Sequence, residues 1–213
     1  MQGLIGKKLG MTQVFDGKGN RVAVTVIEAG PCEVVQCKTL ASDGYSAVQL
    51  GFGDAKEKHS TKAMIAHFKK AGETPKRVVR EFAPDDGEEP KAGDTVTAAI
   101  FEKTSHLDIT GVGKGRGFQG VVRRHGMSGG PITHGGHSKR RVGSIGQKAD
   151  PSNVAKGQRM AGHMGNTQVT QKNLRVVELR LQDNLVLVEG AIPGPTGAMV
   201  LIRKSRKQAR KAG

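Results

Sequence analysis

Aromatic side chains are scarce in these 213 residues: there is no tryptophan, one tyrosine (Tyr45) and six phenylalanines, 3% in all. That excludes a protein that holds single-stranded nucleic acid chiefly by stacking bases on aromatic platforms. Cysteine is equally scarce. Cys32 and Cys37 stand in a C-x4-C spacing with no second pair, which fits neither a disulfide framework nor a C-x2-C zinc site. Both are expected as reduced thiols in or beside a strand. No apolar run approaches the roughly 18 to 20 residues of a membrane span. "MQGLIGKKLGMTQVF" has neither the apolar core nor the cleavage site of a secretion signal, so the expected location is cytoplasmic, with no membrane partner. Acid is missing from one long region, since Asp150 is the only acidic residue between Gly111 and Arg175.

Positive charge is what the chain has in excess. Lys and Arg number 34 against 19 Asp and Glu, a formal +15. That balance calls for a polyanionic partner, nucleic acid before an anionic membrane. Residues 1–110 carry 15 basic and 15 acidic side chains, whereas residues 111–213 carry 19 and 4. All the excess is therefore in the second half, in a glycine-rich middle and at the C-terminus.

At 36% apolar content the chain can bury one ordinary core. "RVAVTVIEAGPC", "SAVQLGF" after the Asp43-Gly44 turn, "DTVTAAIF" and "SHLDIT" read as strands before the middle. "LRVVELRL", "NLVLVEG" and "GAMVLIRK" read as strands after it. Short strands at this spacing predict a mainly β chain whose body is a closed or nearly closed antiparallel barrel, with the middle inserted in it. A helix is expected near 61–71, capped by Ser60, with Met64, Ile65 and Phe68 on one face and Gly72 ending it.

The middle, roughly Gly111 to Thr170, has little to bury and many glycines to order. Composition alone makes it a disordered linker. Its Lys114, Arg116, Arg123, Arg124, Lys139, Arg140, Arg141, Lys148, Lys156 and Arg159 instead suit it to lie against phosphates, because arginine forks match phosphate oxygens and glycine lets the backbone approach closely. Its order is expected to come from the partner. "GRGFQG" at 115–120 matches a dinucleotide-binding pattern, but the following "VVRRHGMSGGPITHGG" breaks any helix within two turns. No acid stands about 20 residues on to hold a ribose. No cofactor is expected. His125, His134, His137 and His163 could suggest a metal or a base, yet glycines separate His134 from His137 and no carboxylate but Asp150 is near, so RNA contact is expected instead of metal or catalysis. The closing "RKSRKQARKAG" adds Arg203, Lys204, Arg206 and Lys207 as candidate nucleic-acid contacts.

Five stretches carry a family resemblance: "GLIGKKLGMTQVF" at 3–15, "DGYSAVQLGF" at 43–52, "TGVGKGRGFQGVVRRHG" at 110–126, "GSIGQKADPSNVAKGQRMAGHMGN" at 143–166 and "LVEGAIPGPTG" at 187–197. In this order they resemble the successive signatures of the bacterial large-subunit ribosomal protein L three family. The resemblance implies a six-stranded β-barrel body (1–117 and 166–202), an irregular basic extension (118–165) with its tip near 143–152, and a basic tail (203–213). It implies a non-enzymatic structural protein that binds large-subunit ribosomal RNA near its 3′ end. Early assembly, support behind the peptidyl transferase centre and the neighbours L fourteen and L nineteen follow from the same resemblance, with no small-molecule substrate. Some members are methylated on the glutamine of S-I-G-Q, which is Gln147 here, by a glutamine methyltransferase. Two departures stand out: His125 where many members have tryptophan, and Thr133 where many have serine.

Overall fold

The computed structural model describes residues 1–206 apart from Glu73, Asp86, Glu88 and Glu89. In chain order the elements are β1 (Gly3–Phe15), β2 (Arg21–Ala29), β3 (Cys32–Lys38), α1 (Leu40–Asp43), β4 (Ala47–Asp54), α2 (Lys62–Lys70), β5 (Lys76–Phe82), β6 (Thr95–Val96) and β7 (His106–Val112). They continue as β8 (Phe118–Gln119), α3 (Val121–His125), β9 (Gly162–His163), β10 (Gln168–Arg180), β11 (Leu185–Glu189) and β12 (Met199–Lys204).

Apolar, mostly β-branched residues at a period of two put one face of these strands inward. On β12 these are Val200 and Ile202, on β7 Leu107 and Ile109, and on β11 Val186 and Val188, all buried. Ile202 lies opposite Ile109, and Val186 opposite Ile27. The order β1-β12-β7-β10-β11-β2 closes on itself, so the body is the expected six-stranded antiparallel barrel. Closure leaves no barrel edge to pair with another chain.

Not every expected strand joins it. β4 and β6 belong to a separate sheet, ordered β5-β4-β3-β6, whose Val34, Val48, Leu50 and Phe82 share one core cluster with the barrel's Leu4, Ile5 and Ile202. "DTVTAAIF" is a strand only at Thr95–Val96. Ala98–Phe101 turns into a 3-10 helix that buries Ala98 and Phe101, a spacing of three that suits this tighter helix and not a strand. α2 is capped by Thr61, whose hydroxyl accepts from the Met64 N–H, and not by Ser60; Phe68 is its buried residue.

β1 carries an unusual interior cation. Its pairing with β2 shifts register between Lys8 and Gly10, and Lys8 is buried. The Lys8 ammonium donates to the carbonyls of Ile192 and Gly194 at 3.1 and 3.2 Å. Its backbone N–H donates to Ala198 and its carbonyl accepts from Gly197. One residue thus anchors the whole β11–β12 connection.

Val112, the last residue of β7, pairs with Gln168, the first of β10. The chain divides there into two compact units, one of Met1–Val112 with Gln168–Gly213, the other of Gly113–Thr167.

Candidate nucleic-acid interface

The second unit starts as a narrow ribbon. Gly113 N–H donates to Thr167 O at 2.9 Å, Arg116 N–H to Met164 O at 2.8 Å and Met164 N–H to Gly117 O at 3.0 Å. Phe118 then pairs with His163 and Gln119 with Gly162. Gly165 has φ +76, and a Cβ there would collide with the Lys114 carbonyl, so only glycine lets the strands close at this point. This ladder also consumes the backbone of the G-x-G-x-x-G stretch, because the Arg116 N–H that would meet a pyrophosphate is already donated to Met164 O. The five-residue α3 that follows is ended by Gly126 in the left-handed region.

α3 presents two side chains to the returning strand. The Arg124 guanidinium donates to Met160 O at 2.7 Å, and His125 Nε2 donates to the same carbonyl at 3.0 Å. The guanidinium rests over Gly162, where a Cβ would sit 2.8 Å from Nη1. Both residues were expected as RNA contacts; both are half-buried and engaged within the unit.

The remaining cations face outward. Lys114, Arg116, Arg123, Lys139, Arg140, Arg141, Lys148, Lys156 and Arg159 are exposed, as are His134, His137, His163 and Gln147. The unit holds ten Lys and Arg against Asp150 alone. Among the described residues, none of the ten makes an ion pair, and pairs such as Lys38–Glu81, Lys76–Glu33, Arg175–Glu189 and Arg180–Glu178 all lie in the first unit. Among the described residues, no backbone N–H from Gly143 to Gly157 donates to a backbone carbonyl. The tip therefore offers a row of unpaired donors between cations, a surface suited to an anionic backbone. No group of three or more described His, Cys, Asp or Glu residues is placed to hold a metal.

Two residues that the charge run assigned to the tail belong to β12. Lys204 Nζ sits 2.5 Å from Asp85, which also takes the Met1 ammonium at 3.0 Å. Partial burial pushes the Asp85 carboxyl up, but the hydrogen bonds from Lys204 and the N-terminal ammonium outweigh it and hold the group below the usual carboxylate range. The Arg203 guanidinium stacks over Phe82 at 5.7 Å. Lys204 is thus spent on an internal ion pair. Arg206 is exposed, and Lys207 lies outside the described residues. Both thiols are free and in β3; burial pushes Cys32 up to about 12 and raises Cys37, which disfavours the thiolate form of each at neutral pH.

Charge and glycine content pointed to the basic unit, but not to Lys8 or Met160. Lys8 lies among glycines and lysines at the N-terminus, and Met160 acts through its backbone oxygen. Its only sequence signal is a sizeable apolar residue in a segment that otherwise has few.

Fold and charge together define the class: a mainly β protein whose barrel strands are interrupted by an acid-poor, cation-rich unit that makes no ion pair among the described residues. A family model described as Ribosomal protein L3 matches residues 52–184. Over 211 residues the chain is 50% identical to Large ribosomal subunit protein uL3 of Brachyspira hyodysenteriae (strain ATCC 49526 / WA1), covering 99% of this chain and 97% of that relative. The protein of the same description from Brachyspira pilosicoli is 48% identical over 211 residues, with the same coverage. The chain belongs to the ribosomal protein L3 family.

Proposed function

We propose that this chain is a structural, non-enzymatic constituent of the large ribosomal subunit in the bacterial cytoplasm, where its second unit binds large-subunit ribosomal RNA near the 3′ end. The observation that carries this is the exposed, unpaired cation set of residues 113–167. Nine outward cations repel one another in the free chain and gain by releasing counterions from RNA phosphates. Lys114, Arg116, Arg123, Lys139, Arg140, Arg141, Lys148, Lys156 and Arg159 would contact phosphate, with His134, His137 and His163 as hydrogen-bonding contacts and Gln147 at the tip. Arg206 and Lys207 would extend the contact from the tail. Arg124 and His125 shape the unit by holding Met160. By neutralising phosphates the unit lets RNA segments pack closely, which supports early assembly and buttresses the region behind the peptidyl transferase centre. L fourteen and L nineteen are the proposed protein neighbours, and Gln147, exposed on the tip, is open to a glutamine methyltransferase.

Binding of the full chain to a large-subunit RNA transcript, titrated in salt, tests the reading. Affinity should fall by about a thousandfold or more between roughly 50 and 200 mM salt if six or more phosphates are contacted. An affinity flat across that range would overturn it.

A further inference from the structure

The basic unit also contains an apolar hollow that phosphate contact leaves unexplained. A cavity of about 540 Å³ is lined by Val121, Val142, Ile145 and Met160, with Arg140 and Arg141 in its wall. Val121 is buried and Met160 half-buried, whereas Val142 and Ile145 are 36% and 40% exposed. The hollow lies wholly within Gly113–Thr167. In a segment with few large apolar residues, four of them converge from α3, the 138–145 stretch and the segment that leads into β9. Its volume is in the range of small-ligand clefts. We propose that this cavity receives one unstacked nucleobase of the RNA, with Arg140 and Arg141 holding the flanking phosphates.

Charge selects the occupant. A neighbouring polypeptide could cover aliphatic walls, but the two arginines in the rim and the ten-to-one excess of cations in the unit match a ligand with one apolar face and an anionic backbone. A nucleotide has both. The base would lie against valine, isoleucine and methionine side chains, and its polar edge would meet the Ser138 side chain and the Gly143 backbone, which also line the cavity. Aliphatic walls suit a chain without tryptophan: they would supply the apolar contact that aromatic platforms give elsewhere. The hollow adds a base-reading element to a surface otherwise made of phosphate contacts, and could distinguish one extruded nucleotide from continuous duplex.

This proposal rests on the RNA-binding reading, and one set of measurements separates the two. The full-length V142S/I145S double variant, changed only at partly exposed positions, is compared with the unaltered chain for binding to a large-subunit RNA transcript across a salt series. The expected result is about tenfold weaker binding at every salt concentration with an unchanged salt slope, because no charge is removed. A benzoylphenylalanine photo-crosslinker replacing Val142 should join the base of a single nucleotide in assembled subunits. Unaltered affinity of V142S/I145S, crosslinks scattered over many nucleotides, or a crosslink to a neighbouring protein would each overturn the base pocket while leaving salt-dependent RNA binding in place. Loss of salt-dependent binding by the unaltered chain itself would overturn both.

Discussion

Arg124 donates to the Met160 carbonyl at 2.7 Å across a separation of 36 residues, and this bond ties the outgoing helix of the basic unit to the segment that leads into β9. Hydrogen bonds from charged groups typically contribute about 1.5 to 3 kcal/mol. Arg124→Ala should lower the local stability of residues 113–167 by about 1.5 kcal/mol and leave barrel unfolding unchanged. Gly162→Ala should act similarly by displacing the guanidinium. Amide exchange resolved by residue checks this: faster exchange at Arg116 and Met164, with Ile109 and Ile202 unaffected. Equal loss of protection in both units would contradict it.

In the free chain the ribbon and the tip should differ. The Arg116 and Met164 amides are hydrogen-bonded and should exchange slowly, while amides from Ser144 to Lys156 should exchange near the unfolded-chain rate. RNA should slow the second group. Strong protection across Ser144 to Lys156 without RNA would refute a partner-ordered tip.

The Asp85 cluster sets an acid limit on the body. Its carboxyl is held below its ordinary value in the folded chain, so the ionised form stabilises the fold at pH values above the unfolded value, and this contribution is lost as pH falls through the folded value. The melting-temperature gap between the unaltered chain and Asp85→Asn should be constant from about pH 7 to 5 and close as the pH falls below about 4. A gap that widens on acidification would disprove the assignment.

Lys8→Met should destabilise the body by about 2 kcal/mol in urea unfolding, since the Ile192 and Gly194 carbonyls lose charged donors while most of the stem volume is kept. A neutral result would show that water replaces the ammonium without cost.

The barrel was legible in the sequence wherever one face of a strand is apolar, as with Val22 to Ile27 and "MVLIRK". β1 gave no such signal, because Gly3, Gly6 and Gly10 and the lysines at 7 and 8 interrupt its alternation even though Leu4 and Ile5 are fully buried. β5, "KRVVREF", was hidden by its charges. The division of strands between a barrel and a second sheet depends on pairing partners, which period alone does not encode. In the basic unit the charge count identified the cations but could not rank them: Arg123 and Arg124 are neighbours of the same chemistry, and only the position of Met160 makes one outward-facing and the other internal.

The pairing of Val112 with Gln168 means that the inserted segment enters and leaves at the two ends of a single rung of the β7–β10 ladder. A short hairpin turn could join the two strands at that rung without shifting any barrel register. Length and composition between Gly113 and Thr167 are thereby released from the constraints of the body, and the inserted segment can be lengthened, shortened or recoded as an independent module.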